Sequence, residues 1–173
     1  VSSAFFLFFV TLREFFIKKL KNLSQNIAHF GFSLLILSIL LNNIFSTEVI
    51  TNLKIGETFK SDKFSINFAK IVQENGKNFK SIIGKFKVEH EDGSIDALRP
   101  ELRIYNQPNI VTSEADIKTN FFTDKFITMN YVQNQEYFNI RYQVKPLMIW
   151  IWISVLILSF GGLMSIFKKR YEI

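Results

Sequence analysis

Cysteine is absent from the 173 residues, and histidine occurs only twice. The first absence excludes a disulfide scaffold, a cysteine-ligated zinc module and a cysteine nucleophile, and the second leaves too few imidazoles for a self-contained metal site. Missing too are a Gly-rich phosphate loop, a Ser/His/Asp order with a nucleophile elbow and an HExxH stretch. No internal repeat, low-complexity segment or linker breaks the chain. The carboxylates between positions 48 and 145 are scattered among lysines, which fits solvated strand faces better than a paired acid and base. What is abundant is apolar. The chain is 48% hydrophobic with 20 phenylalanines, too much to remain disordered.

Two stretches contain no Lys, Arg, Asp or Glu: Ile27 to Ser46 and Leu147 to Phe167. As helices, the apolar run Ile27 to Phe45 extends about 28 Å and Leu147 to Phe167 about 31 Å, against roughly 30 Å of bilayer hydrocarbon. Neither carries the polar stripe of a soluble helix, so 27–46 and 147–167 read as two transmembrane helices. A third apolar piece, Ala4 to Leu12, is too short to span. It is followed by charge rather than preceded by it, the reverse of a signal peptide. Residues 1–21 therefore read as the end of an upstream membrane helix and a basic cytoplasmic segment. With Val1 in place of an initiator methionine, further helices are expected before it.

The net charge of +6 would by itself suggest nucleic acid or an anionic membrane. Its distribution decides. Glu48 to Lys145 holds 14 basic and 13 acidic residues, so the excess belongs to Arg13, Lys18, Lys19 and Lys21 before the first span and to Lys168, Lys169 and Arg170 after the second, opposed only by Glu14 and Glu172. The positive-inside rule then puts both ends, including the tail 168–173, in the cytoplasm and segment 47–145 outside. No nucleic-acid partner is expected, because the outer segment is balanced.

That outer segment alternates like β structure. Phe138, Ile140, Tyr142 and Val144 share one face, as do Phe64, Ile66 and Phe68, and as do Ile82, Phe86 and Val88 around Gly84. Asn75-Gly76 and Asp92-Gly93 signal hairpins, and Lys145-Pro146 ends the last strand before the second span. The predicted fold class is a membrane protein with two transmembrane helices, plus the end of a third, flanking an extracytoplasmic and mainly antiparallel β sandwich or barrel.

One residue stands out chemically. His29 lies two positions inside an apolar membrane run, where an ionisable side chain is costly and usually faces a partner or cofactor. Two readings stay open: a ligand, or a neutral imidazole hydrogen-bonded to a neighbouring helix or snorkelling to headgroups. Ser33, at i+4, shares its face and either orients the ring or serves as a small packing residue. His90, in the acidic turn Glu89-His90-Glu91-Asp92, reads as exposed surface. Arg99, Glu101, Arg103 and Glu114 either grip an anionic group or a partner loop, or form ion pairs that fix the sheet. Trp150 and Trp152 read as headgroup anchors, and Gly161-Gly162 as a close approach to helices beyond the chain.

Four segments, in order, resemble the C-terminal portion of the CcmF-type haem lyases of cytochrome c maturation. Ala28-His29-Phe30-Gly31 resembles the Ala-His-x-Gly that opens a late membrane helix of that family. Leu98-Arg99-Pro100-Glu101-Leu102-Arg103-Ile104-Tyr105 is similar to its Pro-Glu-x-Arg-x-Tyr segment, and Thr112-Ser113-Glu114-Ala115-Asp116-Ile117 to its Thr-x-Glu-Ala-x-Ile. Arg141-Tyr142-Gln143-Val144-Lys145-Pro146, Trp150-Ile151-Trp152, Gly161-Gly162 and Lys169-Arg170-Tyr171 resemble its closing helix.

The resemblance implies part of a haem lyase holding haem b within the membrane, with His29 as one axial ligand to the iron and the other supplied by another helix. It implies support of covalent haem attachment to an apocytochrome, through reduction of the delivered haem. Implied partners are the upstream part of the same lyase, the apocytochrome, haem chaperones and lipid. The implied location is the bacterial cytoplasmic membrane with a periplasmic β domain, or the mitochondrial inner membrane for a split organellar form. The tryptophan-rich haem-docking segment, the outer histidines and the second intramembrane histidine of that family are absent, so the chain is expected to be a truncated copy or one piece of a split lyase, not complete alone. The competing class is a non-enzymatic two-span scaffold with an outer β domain, either an assembly factor or a regulator of polymer chain length.

Overall fold

The computed structural model describes residues 2–17, 23–132 and 135–171, side chains of 168–171 excepted. Lys18, Lys19, Lys21 and Glu172, and the side chains of Lys168, Lys169 and Arg170, which carry most of the topology argument, thus lie outside the described residues. The chain divides into a helical unit, residues 1–46, 120–124 and 145–173, and a β unit, residues 47–119 and 125–144.

In the helical unit the apolar runs fold as expected, with longer ends. Helices α1 (Ser2–Ile17), α2 (Leu23–Phe45) and α3 (Met148–Tyr171) form, and α2 and α3 are long and apolar enough to cross a membrane. Only 28% and 11% of their most apolar windows are buried inside the chain, so they are not core helices of a water-soluble domain. Phe6, Phe9, Phe16, Ile39, Leu156 and Phe160 point outward, as lipid-facing or partner-facing side chains do.

Helices α2 and α3 run antiparallel, with Ala28 of α2 against Gly161 of α3 and Gly31 of α2 against Leu158 of α3. Small residues permit this approach. A Cβ added at Gly31 would lie 2.6 Å from the Leu158 peptide nitrogen, and one at Gly161 would lie 2.5 Å from that of Ala28. The sequence pointed Gly161 at helices beyond the chain, but its neighbour is the chain's own α2. Gly162 has nothing within 4 Å of where a Cβ would lie. At the other end of the pair, Asn42 Nδ2 donates to the Pro146 carbonyl at 2.5 Å, and Leu147, in the left-handed region at φ 59°, turns the chain into α3. The Leu147 peptide N–H donates to the Phe122 carbonyl at 2.6 Å, which holds that turn against segment 120–124.

The β unit is a sandwich. Its strands are β1 (Thr47–Leu53), β2 (Thr58–Lys60), β3 (Phe64–Asn75), β4 (Phe79–His90), β5 (Ile95–Leu98), β6 (Glu101–Tyr105), β7 (Val111–Glu114), β8 (Asp116–Thr119), β9 (Thr123–Tyr131) and β10 (Phe138–Pro146). One sheet has the order β1-β10-β9-β8, and the other β2-β3-β4-β6-β7 with β5 also on β4. The pairs whose register is resolved are antiparallel. The alternating faces read from the sequence meet in one core: Phe64, Ile66 and Phe68 of β3, Phe86 and Val88 of β4, Ile127 and Met129 of β9, Ile140 and Tyr142 of β10. Phe68 stacks on Phe86 with ring centroids 4.3 Å apart.

A bulge between Phe68 and Lys70 shifts the alternation by one, which brings odd-numbered Ile71 onto the core side. Both hairpins form where expected. Gly93 takes a positive φ of 77° in the β4–β5 turn, whereas Gly76 closes the shorter β3–β4 loop through its N–H to the Phe79 carbonyl at 2.8 Å. Gly84 is buried on the core side because Phe86 and the Met129 sulfur fill the place of a side chain, 2.6 and 2.8 Å from where a Cβ would be.

Candidate functional site

Helices α1, α2 and α3 enclose an open groove of about 440 Å³ lined by Leu7, Thr11, Ala28, His29, Phe32 and Leu158. The motif Ala28-His29-Phe30-Gly31 builds it by dividing its labour around one helical turn. Ala28 and Gly31 meet α3 at backbone distance, and this turns the intervening His29 out of the α2–α3 contact and into the groove, where its side chain is exposed. Every other lining residue except Thr11 is apolar. An imidazole on such a wall offers one nitrogen ligand to a metal in apolar surroundings, the chemistry of a haem axial position.

Among the described residues no three His, Cys, Asp or Glu side chains gather to hold a metal ion by themselves. The donor set at the groove is thus the single imidazole of His29. Ser33, predicted to share the face of His29, is fully buried. Its hydroxyl lies 2.7 Å from Thr11 Oγ1 and donates to the Phe30 carbonyl at 2.9 Å, so its hydrogen bonds go to α1 and to its own helix.

In the β unit the structure gathers three of the four predicted polar residues on the outer face of the second sheet. Arg103 Nε donates to Glu101 Oε2 at 2.9 Å, two residues apart on β6, and Ser81 on β4 donates to the same oxygen at 3.0 Å. Glu114 stands directly opposite Glu101 on β7, a like-charge pair that Arg103 relieves. The Arg103 guanidinium holds the Glu101 carboxyl below its usual range against the opposing effect of burial, and it also lies 5.2 Å from the Phe79 ring centre. Arg99 is not in this group. It is exposed between β5 and β6, and its peptide N–H donates to Asp116 Oδ2 at 2.6 Å.

His90 departs from its reading as exposed surface. Its side chain is 14% exposed, with Nε2 2.8 Å from Asp96 Oδ2 and 3.0 Å from Lys125 Nζ. Asp96, 5% exposed, also accepts from Lys118 at 2.5 Å and from Lys125 at 2.8 Å. Asp96 sits on β5 and both lysines on strands of the opposite sheet, so the cluster ties the two layers. Sequence reasoning missed it, although a signal was present: Asp96 shares strand parity with Leu98, which places a carboxylate on the core side.

Trp150 Nε1 donates to the Phe121 carbonyl at 3.1 Å and its ring meets that of Phe121 edge-on at 4.9 Å, while Trp152 remains 65% exposed. The pair splits into one packing and one outward indole in the first turns of α3.

Residues 44–146 match the family described as the CcmF C-terminal beta-sandwich. Cytochrome c-type biogenesis protein CcmF of Haemophilus influenzae is 29% identical over 94% of this chain and 26% of its own length. Protein ccl1 of Rhodobacter capsulatus, also of cytochrome c-type biogenesis, is 29% identical over 84% of the chain and 22% of its own length. A solved structure of cytochrome c heme lyase CcmF has the same fold, with a TM-score of 0.62 at 19% identity over 81% of this chain and 23% of that one. The chain thus spans about a quarter of the length of these relatives.

Proposed function

The chain belongs to the CcmF family, and from that premise we propose that it forms the C-terminal part of a membrane haem lyase of cytochrome c maturation and holds one side of a b-type haem through His29. The observation that carries this reading is the single exposed imidazole on the apolar three-helix groove. His29 would supply the axial nitrogen, while Leu7, Phe32 and Leu158 exclude water around it. Haem bound there supplies one-electron reduction, which the delivered haem requires because thioether formation needs ferrous iron. The second axial ligand, the apocytochrome-docking surface and the haem chaperones belong to the remainder of the assembly.

Haem content tests the assignment. In the assembled complex purified through this chain, His29→Ala is expected to remove or strongly weaken the b-type absorption bands at unchanged protein level. Retention of those bands would leave a two-span scaffold as the better reading.

We further propose the orientation implied by the charge distribution, with both membrane ends cytoplasmic and the β unit periplasmic. The antiparallel α2–α3 pair supports the part of it that puts both membrane ends on one side, since β1 begins two residues after α2 ends and β10 runs directly into the turn before α3. The turn at Gly93 is exposed, with open space around it, and can carry an inserted reporter. A reporter active only outside the cytoplasm should be active there, and cytoplasmic activity would overturn the orientation.

A further inference from the structure

Thr11 and Ser33 are polar residues in apolar helices, and both are buried, at 7% and 0% exposure. Their hydroxyls lie 2.7 Å apart between α1 and α2. The hydrogen bonds to either side are local: the Thr11 hydroxyl is 2.9 Å from the carbonyls of Leu7 and Phe8, and that of Ser33 is 2.9 Å from the carbonyl of Phe30. Each hydroxyl carries one proton, so one of the two donates across to the other while the other donates to a carbonyl of its own helix, and the contact ties α1 to α2 at a single buried point. Elsewhere α1 rests on α2 through ring contacts, Phe8 and Phe15 on either side of Phe30 with centroids 5.8 and 5.9 Å away. Ring contacts of this kind tolerate sliding and rotation, whereas a hydroxyl pair in an apolar surrounding does not.

Thr11 and Leu7 form the α1 wall of the groove whose α2 wall carries His29 and Phe32, and Ser33 follows His29 by four residues on α2, buried behind that wall against Thr11. We propose that Thr11 is a positioning residue for the His29 site: through Ser33 it fixes α1 against α2, sets the groove's width beside the imidazole, and so fixes the ring's presentation to the haem. Thr11 touches the iron in no step. Its effect reaches the cofactor through the wall it anchors, by altering the apolar enclosure and the orientation of the axial ring, both of which tune a haem's potential. The inference rests on the haem reading of His29.

The test uses the assembled membrane complex purified through this chain, with haem stoichiometry, absorption bands and midpoint potential measured for each variant. Thr11→Val keeps the side-chain shape and removes the hydroxyl. It is expected to retain haem at normal stoichiometry but to broaden or shift the reduced bands and to shift the midpoint potential. Ser33→Ala should reproduce that change, and Thr11→Ser should restore the unaltered signature, a rescue that a general loss of stability would not show. His29→Ala, run in parallel, separates the two levels of inference. Loss of haem in His29→Ala together with an unaltered spectrum and potential in Thr11→Val and Ser33→Ala would overturn the positioning role while leaving the ligand standing. Haem retained unchanged in His29→Ala would overturn both.

Discussion

Replacing Gly161 by leucine is expected to force α2 and α3 apart and to deplete the folded chain in the membrane, whereas the same replacement at Gly162, one residue on, leaves the pair intact. The contrast follows from what each Cβ would meet. At Gly161 it would lie 2.5 Å from the Ala28 nitrogen, 2.9 Å from its Cα and 2.9 Å from the Ser24 carbonyl oxygen, all backbone atoms. No rotamer change can relieve that, so the helices themselves must move. Overpacking a well-filled site usually costs about 1–3 kcal/mol, and an obstacle made of backbone puts Gly161→Leu at or above the upper end. Gly162 has open space within the chain. Cysteines placed at facing positions of α2 and α3, remote from the substitution, provide the readout. Cross-linking should fall in Gly161→Leu and persist in Gly162→Leu. Because Ala28 and Gly31 straddle His29, the proposed haem role of that residue implies that the variant also lowers haem retention in the assembly without touching the imidazole.

The difference between these adjacent glycines was not legible in the sequence. Both stood in one apolar run as possible contacts, and only the rotational setting of α3 against α2 tells them apart. The runs themselves were legible because a bilayer demands an uninterrupted apolar length, a requirement that can be checked without knowing any contact. The β faces of Phe64, Ile66 and Phe68, and of Ile140 and Tyr142, were legible for a similar reason, since side chains alternate whatever the partner strand.

Long-range polar contacts were hidden. Thr11 and Ser33 are 22 residues apart, and neither alone announces a hydrogen bond between helices. His90 appeared as part of an acidic turn because its neighbours in sequence are acidic. Its actual surroundings come from β5 and β9, brought together by the closing of two sheets. His29 could be singled out as a residue, since its cost in lipid is local, whereas the groove around it required three helices to be in place.

The cluster around Asp96 is where the β unit should be most sensitive to loss of a single charge. Asp96→Asn keeps the shape and an acceptor oxygen but leaves Lys125, 19% exposed, beside His90 with no anion between them. Removing one member of a buried ion pair costs about 3–5 kcal/mol. The low end applies here, because Lys118 is 55% exposed and can turn to solvent once released. Lys118→Met should accordingly cost much less than Asp96→Asn. Hydrogen exchange in the reconstituted chain is the direct measure. Amides of β5, β8 and β9 should lose protection together, since Asp96 joins strands of opposite sheets, while α2 and α3 remain unaffected.

Acid should act on the same bond. Burial pushes the Asp96 carboxyl up, but hydrogen bonds from Lys118, Lys125 and His90 outweigh it and hold the group well below the ordinary value of about 3.9. A folded-state value below the unfolded one contributes stability that is complete above about pH 4 and is lost as pH falls from there through the folded value. The unaltered chain should therefore lose protection of β5, β8 and β9 on acidification below about pH 4, and Asp96→Asn, already without that contribution, should show a flatter acid response. Equal acid sensitivity in the two chains would mean that other carboxylates, not Asp96, bind the sheets together at low pH.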